Sequence, residues 1–164
     1  MAKSLPTGLH GLAYQPVRDI LAELQAAIVD MLLNTGALAI GTAKAKVLIA
    51  NTIYAMIDGV LVKKASAEIV LAGTVLADLF NVYVLTLAAS GTVTATMGTA
   101  GATIGAVVFP AVPANQAVIG FVIVNPTGTG NFVGGTTELD DATVVPNAVY
   151  VDTPYPFNQN VVAL

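Results

Sequence analysis

One histidine, His10, and one acidic group, Glu138, Asp140 and Asp141, are the residues on which catalytic or metal chemistry in this chain would have to rest. His10 stands between Leu9 and Gly11. A Ser–His–Asp relay would have to use it, and no G-x-S-x-G turn is present to hold a serine against it. A histidine metal site needs more ligands than one imidazole supplies, so a surface or interface histidine accounts for His10. The three carboxylates follow Gly134-Gly135-Thr136-Thr137. Their oxygens suit Ca²⁺, but their spacing is not that of an EF-hand loop. A solvated acidic turn is the plainer account, with cation binding the alternative. As a glycosidase pair, two of them would have to converge across a cleft. Asp140 and Asp141 on an extended strand would point to opposite faces, and no Trp is present to stack on a sugar. No residue is therefore assigned as catalytic, cofactor-binding or metal-ligating.

The glycines form no phosphate cradle. Gly98, Gly101 and Gly105 lie in a Thr- and Ala-rich stretch with no Gly-Lys-Ser/Thr after it. Gly128-Thr129-Gly130 lacks the third glycine at the required spacing and the helix that should follow. Turn geometry explains them. Thr92, Thr94 and Thr96 make one row of hydroxyls, which is a solvated strand face; an ice-binding comb would need several parallel rows. With no Cys, disulfides and thiolate metal sites are excluded.

Charge is scarce and unevenly placed. Hydrophobic residues make up 55% of the 164-residue chain and charged residues 10%, against about 25% charged in an ordinary soluble domain. Residues 79–137 contain no Asp, Glu, Lys, Arg or His, and no Lys or Arg follows Lys64. Net charge is −4. Binding a nucleic acid needs clustered cations, and Lys44, Lys46, Lys63 and Lys64 are few and interleaved with acids, so no nucleic-acid partner is expected. Charge is also what keeps surfaces apart. A surface built of Thr, Ala, Gly, Asn and backbone is either neutral or covered, and both point to association. No membrane partner is expected. The most apolar window, residues 104–124, holds Pro110, Pro113, Asn115 and Gln116 at its middle, where a spanning helix would break. The opening Met1-Ala2-Lys3-Ser4-Leu5-Pro6 lacks the apolar core of a signal peptide, so export by that route is not expected.

The elements follow from periodicity. Residues 1–15, with Pro6, Gly8 and Gly11, read as an N-terminal arm. Val17, Ile20, Leu21, Leu24, Ile28, Met31 and Leu32 recur at three- and four-residue spacing, which predicts an amphipathic helix over 16–33. Pro16 suits its first turn, and Asn34-Thr35-Gly36 its stop, with Gly36 in the left-handed conformation. The helix unit is thus 16–36. It either packs on the rest of the chain or pairs with copies of itself. From residue 37 to 151 the period falls to two. Short strands are expected at 38–40, 47–50, 52–57, 60–62, 68–71, 82–87, 92–97, 105–109 and 117–125, with shorter runs at 142–145 and 148–151. Asp58-Gly59 marks a two-residue hairpin turn. Residues 152–164, with Pro154 and Pro156, read as an extended C-terminal arm. The fold class is mainly β: an antiparallel β-sandwich or barrel with one N-terminal amphipathic helix and extended terminal arms.

Five stretches resemble small phage virion structural proteins of the capsid decoration, cement or head-fibre type. They are Ile57-Asp58-Gly59; Val82-Tyr83-Val84-Leu85-Thr86-Leu87 with Ser90-Gly91-Thr92-Val93; Ala106-Val107-Val108-Phe109-Pro110-Ala111-Val112-Pro113; Gly120-Phe121-Val122-Ile123-Val124-Asn125-Pro126-Thr127-Gly128; and Phe132-Val133-Gly134-Gly135-Thr136-Thr137-Glu138-Leu139-Asp140-Asp141. The resemblance spans residues 37–151 and implies a β-rich virion protein, commonly oligomeric and often a homotrimer. It implies a capsid decoration or cement protein, assembled in the host cytoplasm, whose arms clamp the major capsid protein or another virion protein. A tail, fibre or receptor-binding component is the alternative, and a carbohydrate-binding or hydrolase domain a third. No enzymatic activity and no cofactor is expected.

Overall fold

Alternating apolar and polar side chains set the sheets. In β4 (Ile53–Ile57), Ile53, Ala55 and Ile57 are buried while Tyr54 is exposed, the period-two pattern of a strand with one face on a core. The structure is a computed structural model that describes residues 30–125, 127–146 and 148–153 and the backbone of 157–158. Among these residues the protein is mainly β, with four antiparallel sheets, none of them closed.

The first sheet has the order β13 (Phe157–Asn158), β1 (Met31–Leu32), β4, β5 (Val60–Lys64). Its hairpin turns where expected: Asp58 (φ 50) and Gly59 (φ 71) both have positive φ, and Ile57 pairs with Val60. The second sheet has β2 (Leu38–Ile40), β3 (Lys46–Ile49) and β6 (Ala67–Val70). A third pairs β7 (Thr74–Val75) with β11 (Phe132–Val133). The fourth, β12 (Val149–Asp152), β10 (Gln116–Val124), β8 (Asn81–Ala88), β9 (Val93–Met97), carries most of the charge-free segment. β10 lies against β1 and β4, β12 against β2, and β6 against β9. The sheets thereby share one core, which includes Leu32, Ile49, Ile53, Tyr83, Leu85 and Ile119. Each such side chain contributes about 1.5–3 kcal/mol by leaving water.

Two local devices hold the sheets in place. Asp152 accepts the Leu38 amide on both carboxylate oxygens, at 3.1 and 3.2 Å, tying β12 to β2. In β10 the pairing with β8 steps from Val118↔Thr86 to Gly120↔Leu85, so Ile119 is an extra, bulged residue. A one-residue step exchanges the two faces of a strand. Ala117 and Ile119 therefore reach the core before the bulge and Val122 and Val124 after it. Gly120 makes this possible, because a Cβ there would run into the Val151 carbonyl and the Leu38 side chain.

The structure corrects several expectations. The helix predicted over 16–33 falls mostly outside the described residues, as does the arm 1–15, but its last turn is not helical. Asp30 has φ 56 and Met31–Leu32 form β1, paired with Met56 and Ala55. The run Met31-Leu32-Leu33 fits either period, and the strand wins because β4 satisfies its backbone. Gly36 is not a left-handed stop; Ala37 takes that conformation (φ 49). Gly36 instead allows close packing, since an added Cβ would sit 2.9 Å from Ile119 Cγ2. Residues 105–109 are not a strand: 104–106 form one 3-10 turn, and only Val108 bridges, to Thr99. Residues 142–145 form turns capped by Asp141 rather than a strand. Asp152 and Thr153 belong to the folded domain and 157–158 pair with β1, so the span 152–164 is not wholly a strap outside the domain. β1, β7, β11 and β13 were not expected as strands.

Candidate functional site

Sequence-singled polar residues do not converge. Asp140 pairs with Lys44 at 2.7 Å, an exposed ion pair that, with its hydrogen bond, raises the Lys44 pKa. Asp141 accepts the amides of Thr143 and Val144 on Oδ1, at 2.8 and 3.2 Å, and caps its own turn. Glu138 is exposed. The segment is a turn, as the reading of these carboxylates as an acidic turn expected, and no group of three or more metal-ligating side chains occurs among the described residues. Glu68 receives the Thr42 amide at 2.6 Å and lies 3.8 Å from Lys46. The Lys63 ammonium stands 5.9 Å above the Tyr54 ring. Gly128 and Gly130 have positive φ in a turn. His10 lies outside the described residues. No helix among the described residues is long and apolar enough to cross a membrane.

What the structure does assemble is an apolar surface on the charge-free segment. β8 is buried from Asn81 through Leu87. Tyr83, Leu85 and Leu87 point into the shared core. Val82, Val84 and Thr86 are buried too, but on the opposite face, beside Ile123, Phe121 and Val118 of β10. A strand buried on both faces reads as a continuous apolar run, which is why 82–87 carries no charge. The cover on this outer face is the loop 98–115. Thr99 and Val108 exchange backbone hydrogen bonds at 2.9 and 3.0 Å, and Phe80 and Gly101 do so at 2.8 and 3.0 Å. Asn81 Nδ2 donates to the Gly98 carbonyl at 3.1 Å. Gly98 and Gly101 are packing glycines: a Cβ on either would fall 2.5 or 2.6 Å from backbone atoms of Val108 or Ala106.

The loop covers the sheet incompletely. Phe109 meets Phe121 edge-to-face, with ring centroids 5.4 Å apart, a favourable arrangement of ring quadrupoles. Between loop and sheet remains an open groove of about 210 Å³. Val84, Val118 and Phe121 form its floor, Phe109, Pro110 and Val112 its wall, and Thr153 one end. Phe109 is still 54% exposed, and beside the groove Ile104 and Val108 are 52% and 60% exposed. Thr94 and Thr96 of β9 flank it across β8, on the rows of Thr86 and Val84. Their hydroxyls form the neutral rim that the alternation of residues 92–97 predicted, and Val93, Ala95 and Met97 pack toward the core as expected.

Sequence reading assigned residues 105–109 to a strand and 110–114 to its connection with the next strand, and so missed this site. The signal was present. Pro110 and Pro113 cannot both serve a central strand, and Gly98 and Gly101 mark a backbone that approaches its neighbours closely. Comparison with protein-family models, with curated proteins and with solved structures finds no match.

Proposed function

We propose that this chain is a structural protein that works by associating with other protein chains, and specifically that it is a capsid decoration or cement protein of a bacteriophage particle. In this reading the two facing sheets around β10 and β4 form a sandwich that sits on the shell. The chain oligomerises as a homotrimer and bridges subunits of the major capsid protein. It acts by burying apolar area across subunit boundaries and performs no catalysis. The observation that carries association is the outer face of the β8–β10 sheet. It is free of charge, and its covering loop leaves Ile104, Val108 and Phe109 in water around an apolar groove. Apolar surface returned from water contributes about 25 cal/mol per Å², of which only the excess over the cost of association shows as affinity. The phage setting is supported by the resemblance of residues 37–151 alone.

Image reconstruction of the particle that carries this protein tests the reading. Density for the β domain seated on the head, across boundaries between capsid subunits, is the expected result. Density on the tail would replace the decoration role with a fibre or receptor-binding one. Absence from every particle would end the virion reading.

A further inference from the structure

We infer that residues 17–28 of this chain lie across the outer face of the first sheet, their apolar side against Met31, Tyr54, Met56 and Leu61. A contact within one chain neither requires nor excludes association between chains, so it goes beyond the assembly reading and does not rest on it.

The register of the sheet defines the face. Met31, Met56 and Leu61 stand side by side in one row across β1, β4 and β5. The next row, Leu32, Ala55 and Val62, is buried in the core. Successive side chains of a strand point to opposite faces, so the first row looks away from the core. Tyr54 shares this outer face, opposite Lys63, and its carbonyl accepts the Leu33 amide. Leu61 is 60% exposed and Tyr54 40%. Two thioethers, a leucine and a phenol ring make a pliable apolar surface, since methionine adapts to whatever packs on it.

The point where the chain enters the sheet selects the occupant. The described residues begin at Asp30. Asp30 is buried, has φ 56, and accepts the Asp58 amide on Oδ1 at 3.2 Å. That bond fixes the start of β1 at the tip of the β4–β5 hairpin. The left-handed conformation turns the backbone there, so what precedes Asp30 does not prolong the line of β1. Leu32, Ile53 and Ile57 fill the inner face, which leaves the outer one. Only Val29 separates Ile28 from Asp30. So short a tether keeps the segment at a high effective concentration over its own sheet, against which a separate partner must compete.

Pattern and length agree. Val17, Ile20, Leu21, Leu24 and Ile28 recur at three- and four-residue spacing, which gathers them on one side of a helical repeat. A helix over 17–28 measures about 18 Å, and the five residues of β5 extend about 17 Å. The segment therefore reaches from the hairpin tip to the far end of the face. Charge agrees in sign. Lys63 and Lys64 have no carboxylate partner among the described residues, whose ion pairs are Lys44–Asp140 and Lys46–Glu68. Asp19 and Glu23 bring carboxylates to that neighbourhood, though exposed pairs add little to stability.

Paramagnetic NMR on the full chain tests this. The chain has no cysteine, so Ala65→Cys, exposed just past β5 at the end away from the hairpin tip, takes a single nitroxide. An isotope-labelled chain bearing it, diluted into excess unlabelled native chain, is expected to lose the amide signals of residues 17–24. A nitroxide on Val108→Cys, over the opposite sheet, is expected to leave those signals at full intensity. Leu61→Glu added to Ala65→Cys charges the face at a side chain that already meets solvent, and is expected to restore the signals with the β8–β10 amides unshifted. Should those amides shift, Leu24→Glu makes the same test from the segment's side. Full intensity in the Ala65→Cys chain would overturn the assignment, as would equal loss from Val108→Cys or loss that persists in both glutamate variants. Loss seen only when nitroxide and isotope are on different chains would place the segment on a second copy and overturn the contact within one chain. Sedimentation reads the mass independently, so failure here leaves the assembly reading standing.

Discussion

At the residue scale, the polar groups that matter are structural ties. Asp152 holds the start of β2 by accepting one amide on both oxygens. Asp152→Ala leaves the Leu38 amide without that partner and is expected to cost about 1–3 kcal/mol in denaturant unfolding. Tyr83 serves the fold only in part. Its ring packs edge-on to Phe132, but its buried hydroxyl has no hydrogen-bond partner, and neither has that of Tyr150. Tyr83→Phe removes an unsatisfied polar atom and is expected to hold or raise the melting temperature. Burial pushes both phenols up to about 12. The folded protein thus retains two protons that the unfolded chain gives up near pH 10. Stability is whole below pH 10 and falls as pH rises toward 12. A spectrophotometric titration of the folded chain should show two tyrosines ionising near pH 12. None of these roles was legible in the sequence, because each depends on a partner far along the chain: Leu38 lies 114 residues from Asp152.

At the element scale, legibility followed the locality of the signal. The Asp58–Gly59 turn and the β8–β9 hairpin were readable, since both rest on neighbouring residues. Gly59→Ala puts a Cβ on a residue at φ 71 and is expected to lower stability by about 1–2 kcal/mol, read from the shift in the denaturant midpoint. The strand at β1 was not readable, because Met31-Leu32 also continued a helical pattern and only pairing with β4 decides between them. The parity change at Ile119 was hidden for the same reason: a bulge is a property of two strands. The loop 98–115 was misread because its Val and Ile content suggests a strand, while the tight backbone contacts that its glycines allow exist only in the fold. Gly98→Ala drives a methyl against the Val108 carbonyl. It is expected to release the loop, seen as faster hydrogen exchange at Thr99 and Val108 with the β8–β10 amides still protected.

At the scale of the whole molecule, the charge-free segment builds the groove and leaves Ile104, Val108 and Phe109 exposed beside it, while Val60, Leu61, Val70 and Leu76 are exposed in the charged part of the chain. The described Asp, Glu and Lys residues lie before residue 79 and after residue 137, and between them β8 is buried on both faces. The composition announced this half of the account, since a chain so poor in charge must cover its neutral surface or share it. The composition did not disclose which surface, because the groove exists only where loop and sheet meet. A contact without charged groups should be nearly indifferent to screening. Its dissociation constant is expected to change less than about threefold between 0.05 and 0.5 M NaCl, whereas exposed ion pairs would weaken over that range. The mass of the full native chain in solution, measured by sedimentation across a wide concentration range, tests the central claim of association most directly. The account predicts a reversible homo-oligomer at three times the 16.6 kDa chain mass, and a single-chain mass that persists at the highest concentrations would contradict it.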